Sequence, residues 1–216
     1  MHHPNFPRRQ SGFTLIEIAI VLVIIGLLLG GILKGQELIN SARVKNLATD
    51  FRNVPLFIYG YQDKFRVLPG DDAAAIKHVG TATVIPGEGN GNGVIEGDWD
   101  SGTAVAPTEA FLFWQHIRLA GLAPGPTTLS ATDYRPRNAV GGTLGIQSTP
   151  PFTGMTGGTY YVCSTTILGK FAKQLDIQLD DGDTSTGAMR AGTTLPTAIA
   201  TASIDDATPY TVCMGI

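Results

Sequence analysis

Charge is scarce in this chain. Only 15% of its 216 residues are Asp, Glu, Lys or Arg, and the formal net charge is −3. A basic footprint for nucleic acid is therefore missing, and no specific nucleic-acid partner is expected. Cysteine is scarcer still. There are two, Cys163 and Cys213, with no CxxC spacing, so a dithiol redox motif is excluded. The sequence has no HExxH helix, no nucleophile elbow, no zinc-ligand pattern and no P-loop lysine. The expectation is that the chain is not an enzyme. No internal repeat is apparent either. Glycine, by contrast, is plentiful at 27 residues, which predicts many turns and a β-rich part.

What the sequence does have is one long apolar run. The segment "GFTLIEIAIVLVIIGLLLGGILKG" covers Gly12 to Gly35. From Phe13 to Leu33 its only ionisable side chain is Glu17. As a helix this stretch spans about 30 Å, one hydrocarbon core. Arg8 and Arg9 precede it, which keeps the N-terminus cytoplasmic and exports the remainder. A cleaved secretory signal peptide fits poorly, because the run is too long and no small-x-small site follows it. A buried helix of a soluble domain would not account for the two arginines or for apolarity on every face. Glu17 is the anomaly. A carboxylate in a membrane helix costs about 2.5–3.5 kcal/mol at the centre and less near an end, so it marks function by default. No basic side chain lies within two helical turns on the exported side, so its charge partner is expected from another molecule or from processing.

"RRQSGFTLIEIAIVLVIIGLLLGG" resembles the N-terminus of type IV prepilins and type II secretion pseudopilins. A short basic leader ends in Gly12, Phe13-Thr14-Leu15-Ile16-Glu17 follows, and then comes the apolar helix. The resemblance implies cleavage by a prepilin peptidase between Gly12 and Phe13 and N-methylation of Phe13. It also implies that Glu17 pairs with the new Phe13 amine of a neighbouring subunit during assembly. A charge poorly solvated in lipid gains most from a partner met on docking. Without residues 1–12, 13 basic residues face 18 acidic ones, a balance of −5. The chain departs from many major pilins in having Lys34, flanked by Gly26, Gly30, Gly31 and Gly35, where those have a helix-melting proline. Those glycines either weaken the helix, by about 0.8–1 kcal/mol each, or allow close packing.

Beyond Lys34 the pattern turns amphipathic. Leu47, Phe51, Val54, Ile58, Tyr61 and Phe65 form one apolar stripe. The reading is a single helix from about Phe13 to Phe65, kinked or interrupted at Pro55, and ended by "LPGDD" (Leu68–Asp72). Thr108 is an N-cap for a helix Glu109–Ala120 that stops at Gly121. "GTYYVCSTTI" (Gly158–Ile167) and "PYTVCMGI" (Pro209–Ile216) read as strands, with a helix-then-turn, "AKQLDIQLDDGD", between them. The fold class is α+β: a long N-terminal helix packed on a C-terminal antiparallel sheet, the architecture the resemblance also implies. The organisation is a cleaved leader over 1–12, a membrane or filament-core helix over 13–35, an amphipathic half over 36–66, and a β-rich head over 67–216.

Two cysteines in an exported domain are expected to form one disulfide, Cys163–Cys213, and the resemblance agrees. "EGNGNGVIEGDWD" (Glu88–Asp100) places Glu88, Asn90, Asn92, the Val94 carbonyl and Glu96 at EF-hand-like intervals, with Asp98 beyond. Calcium is the cofactor considered there. The departures are Glu at the first position and Trp99 at the twelfth, where Asp98, Asp100 or Glu109 would have to substitute. The alternative is a Gly/Asn turn at Asn92-Gly93. A second acidic turn, Asp180, Asp181 and Asp183 around Gly182, is a further candidate cation site, with a solvated turn the favoured reading.

The function expected is a structural subunit of a type IV pilus-like filament. Its partners are other copies or other pilins, the prepilin peptidase and an inner-membrane assembly platform, with the membrane holding it before assembly. It begins as a single-pass inner-membrane precursor and ends in a periplasmic or extracellular filament. The alternatives are a type II secretion pseudopilin, or a membrane-tethered binding protein or adhesin that does not polymerise.

Overall fold

The computed structural model describes residues 12, 14–81 and 83–216. Helix α1 runs unbroken from Leu15 to Phe65, with Pro55 inside it. Pro55 withholds one N–H from the ladder, yet the helix is not interrupted there. The chain divides into two compact units, up to Ala42 and from Arg43 onward.

In the first unit, every Leu, Ile and Val from Leu15 to Leu33 is exposed. The stretch is long and apolar enough to cross a membrane. Gly26, Gly30, Gly31 and Gly35 have open space where a side chain would be, and the helix continues through all four.

In the second unit, α1 buries Val44, Leu47, Ala48, Phe51, Val54, Ile58 and Tyr61. The expected stripe is thus the core face, with Phe65 half-buried against the Tyr61 ring at 4.7 Å. A short helix α2 (Ala75–Val79) follows, then α3 (Glu109–Leu119). Thr108 caps α3 as expected, its hydroxyl accepting the Phe111 N–H at 3.3 Å. α3 is buried along nearly all its faces, including Gln115, His116 and Arg118. The rest comprises β1 (Leu144–Gln147), β2 (Tyr161–Leu168), α4 (Gly169–Leu179), β3 (Met189–Gly192) and β4 (Pro209–Gly215).

The four strands form one antiparallel sheet in the order β1-β2-β4-β3. Alternate residues serve two faces. Val162, Ile167 and Val212 join the main core with α1, α3 and α4. Tyr161, Cys163 and Cys213 join a smaller cluster with Trp99, Phe152 and Met155. The fold is α+β, a long N-terminal helix on an antiparallel sheet. The short strands β1 and β3 and helix α2 were not legible as periodic patterns, because four or five residues carry too little period.

Cys163 and Cys213 face one another in the β2–β4 register and are bonded. On the chain-entropy model, closing a loop of this length stabilises by about 4 kcal/mol.

Candidate functional site

Helix α1 begins with a reciprocal cap. Thr14 precedes the first helical residue, and Glu17 is three positions on. The Thr14 N–H donates to Glu17 Oε2 at 2.8 Å, and the Thr14 hydroxyl donates to the same oxygen at 2.8 Å. The Glu17 N–H in turn reaches Thr14 Oγ1 at 3.3 Å. This is the Thr-x-x-Glu capping box, which satisfies two otherwise orphan N–H groups. Reading Glu17 only as a charge in search of a charge missed Thr14, although the spacing was visible. Glu17 Oε1 accepts no hydrogen bond from the described residues. Gly12 is exposed. Phe13 and the leader residues through Ser11 lie outside the described residues. Further along, Lys34 pairs with Glu37 at 2.6 Å, both exposed.

The 88–98 loop is a strap on the second unit, organised by carboxylates from outside it. Asp71, from "LPGDD", accepts the N–H groups of Gly91, Asn92 and Gly93 at 2.7, 3.0 and 2.7 Å. Glu109 accepts those of Asn90 and Glu96 at 2.8 and 3.0 Å. Of the carboxylates considered for the twelfth position, Glu109 does reach the loop, but by holding its backbone. The side-chain oxygens of Asn90 and Asn92 accept N–H groups two residues on. Glu96 receives both asparagine amides, at 3.0 and 2.9 Å. Ile95 and Trp99 are core residues, and Gln147 receives the Trp99 N–H at 2.8 Å. Trp99 therefore occupies the twelfth position for packing. Glu88 and Asp98 make no side-chain hydrogen bond among the described residues. Of the candidate ligands, Asn90, Asn92 and Glu96 are thus engaged within the loop, whose backbone is held by Asp71, which sequence spacing did not associate with it. Burial pushes the Glu109 carboxyl up, against the two N–H bonds, and the charges of Asp71 and Glu96 add to the rise.

Both histidines beyond the leader are structural ties near the same turn. His116 Nδ1 accepts the Gly70 N–H at 2.9 Å, which leaves Nε2 as the protonated nitrogen, donating to the Gly87 carbonyl at 2.7 Å. Burial holds His116 below the usual histidine range, although the Gly87 bond and the charges of Asp72 and Glu88 oppose it. Gly70 needs to be glycine: its φ is +92°, and a Cβ there would crowd the Glu109 carbonyl. Asp72, fully buried, accepts from the Tyr61 hydroxyl at 2.6 Å and pairs with His78 Nδ1 at 2.7 Å. Burial penalises the Asp72 charge, but bonds from Tyr61, His78 and Ala74 win, and its pKa falls below the ordinary value.

In the acidic turn after α4, Asp181 is exposed and Asp180 and Asp183 are partly exposed. Asp176, within α4, joins Asp180 and Asp181 in a carboxylate cluster. Burial pushes the Asp176 carboxyl up to about 6, against the Gly182 N–H bond, with Asp180, Asp181 and Asp183 adding to the rise. Asp183 is engaged by its own turn, through the Ser185 N–H and hydroxyl.

Residues 7–33 match a family model described as the prokaryotic N-terminal methylation motif. That motif is the type IV pilin and pseudopilin signature, and it implies processing by prepilin peptidase and polymerisation with other pilins. Together with the exposed apolar helix, it fits a membrane-anchored precursor. No curated protein matches the chain.

Proposed function

We propose that this chain is a structural, non-enzymatic subunit of a type IV pilus-like extracellular filament, polymerised through the first half of α1. The observation that carries the reading is the methylation motif on a stretch of α1, Leu15 to Leu33, whose apolar side chains are all exposed within the chain. Fourteen Leu, Ile and Val side chains between Leu15 and Leu33 are exposed. Each gains about 1.5–3 kcal/mol on full burial. Lipid provides that environment before assembly, and neighbouring helices provide it afterwards.

In this reading cleavage after Gly12 makes a cationic amine at Phe13, four residues before Glu17. The Thr14 box holds Glu17 Oε2 toward its own helix and leaves Oε1 to accept a hydrogen bond from the ammonium group of a neighbouring subunit. Thr14 is then the positioning residue of the docking contact, and Glu17 supplies the charge. The head, residues 67–216, forms the outer surface and takes no part in catalysis.

Glu17→Ala should abolish filament formation while leaving cleavage at Gly12 intact, read by electron microscopy of sheared filaments and by N-terminal sequencing. Normal filaments from a correctly processed Glu17→Ala chain would sink the docking role. The methylation motif also serves type II secretion pseudopilins. Deletion of the chain that stops export of folded proteins and leaves surface pili intact would move the assignment there. A processed chain that remains monomeric would favour the tethered adhesin.

A further inference from the structure

A carboxylate cluster closes the turn between α4 and β3. One oxygen from each of Asp176, Asp180 and Asp181 lies within 4.8 Å of the other two. Twice a calcium–oxygen distance is about 4.6–5.2 Å, so one such cation can touch all three. Asp176 is 0% exposed. Its Oδ1 accepts the Gly182 N–H at 2.6 Å, and its Oδ2 is buried with no hydrogen-bond partner. A buried carboxylate oxygen left without a donor is costly unless it is neutralised or bound to a cation.

Among the described residues, none of the ion pairs involves Asp176, Asp180, Asp181 or Asp183. The cluster also sits at the C-terminal end of α4, where the helix dipole adds negative potential. The remaining contacts hold the walls in place. Asp180 Oδ2 accepts the Met189 N–H at 2.7 Å. Asp181 accepts the Asp183 N–H at 2.9 Å and the Thr186 hydroxyl at 2.9 Å. A Cβ at Gly187 would overlap Asp180 Oδ2 and crowd Asp181 Oδ2, so this glycine keeps the space beside both oxygens open.

We propose that Asp176, Asp180 and Asp181 form a binding site for a hard divalent cation of the calcium class, tying the end of α4 to the start of β3. Three oxygen anions with no nitrogen or sulfur donor favour such an ion over zinc or copper. The site is distinct from the 88–98 loop, and it stands whether or not the chain builds a pilus.

The test is a calcium titration of the full chain in detergent micelles, stripped with EDTA, by calorimetry and thermal melting. Wild type should bind calcium and melt at a higher temperature when saturated. Asp176→Asn and Asp181→Asn should each weaken this binding by about tenfold or more, while Glu96→Gln, in the other loop, leaves it unchanged. Asp181 is exposed, so Asp181→Asn carries the test if Asp176→Asn does not fold. The proposal is overturned if wild type shows no binding up to about 10 mM calcium, well above the range of weak extracellular sites. It is equally overturned if Asp181→Asn and a folded Asp176→Asn both match wild type in stoichiometry and affinity.

Discussion

The two halves of α1 share one backbone conformation and almost nothing else. From Leu15 to Leu33 the apolar residues cover every face, and all of them are exposed. From Val44 to Tyr61 they are confined to one stripe, and that stripe is buried. A chain folds its own core over one face of a helix. A helix apolar on all faces needs lipid or neighbouring subunits as its surroundings. The difference is one of pattern rather than composition: one half has no face that its own chain covers, and the other anchors a domain.

The comparison can be broken first by truncating matched residues. Phe51→Ala, in the buried stripe, should destabilise the head by about 3–5 kcal/mol. Ile24→Ala, in the exposed half, should leave the melting transition of the same detergent-solubilised chain in place and reduce only filament yield. An equal loss of stability from both would mean that the two halves are not separate in role.

A smaller effect is expected at the strap that borders the amphipathic half. Asp71→Asn removes the charge that receives three loop N–H groups and should cost about 2 kcal/mol, measured by denaturant unfolding. Asn90→Ala should cost less, since the backbone N–H of Asn90 is held by Glu109.

The smallest effect is a pH dependence. His116 has its pKa lowered from 6.5 in the folded state, so the unfolded chain binds the proton first as pH falls. The His116 contribution is complete well above 6.5 and is lost progressively on acidification below it. Glu109, with a raised pKa, works oppositely, and its ionisation weakens the fold as pH rises. Asp176, pushed up to about 6, acts in the same sense as Glu109 across this window, so the His116 term is read as a difference: between pH 7.5 and 5.5 the wild-type chain should lose stability relative to His116→Gln. An unchanged slope in the variant would refute the buried neutral tautomer.

Much of this was legible in the sequence because it rests on long periods or local chemistry. The α1 stripe, the Thr108 cap, strands β2 and β4 and the disulfide pair all follow from spacing, propensity or count. The Thr14–Glu17 box was equally local, but attention to charge alone passed over it. Asp71 and Asp176 could not be found that way. Asp71 serves a loop some twenty residues distant. Asp176 reads as an ordinary polar position of an amphipathic helix until α4 is packed.

By itself, then, the sequence determined that an apolar helix with one carboxylate must be sheltered by something other than its own chain. It also determined that a second helical half would present one face to a β-rich core. Both follow from the hydrophobic period along a single element. Only the tertiary structure decided that the glycine-rich loop wraps Asp71, that His116 is a neutral tie between Gly70 and Gly87, and that three aspartates meet at the end of α4. Those arrangements depend on which backbone N–H groups and which charges come within hydrogen-bonding distance once distant segments pack, and a one-dimensional pattern carries no such distances.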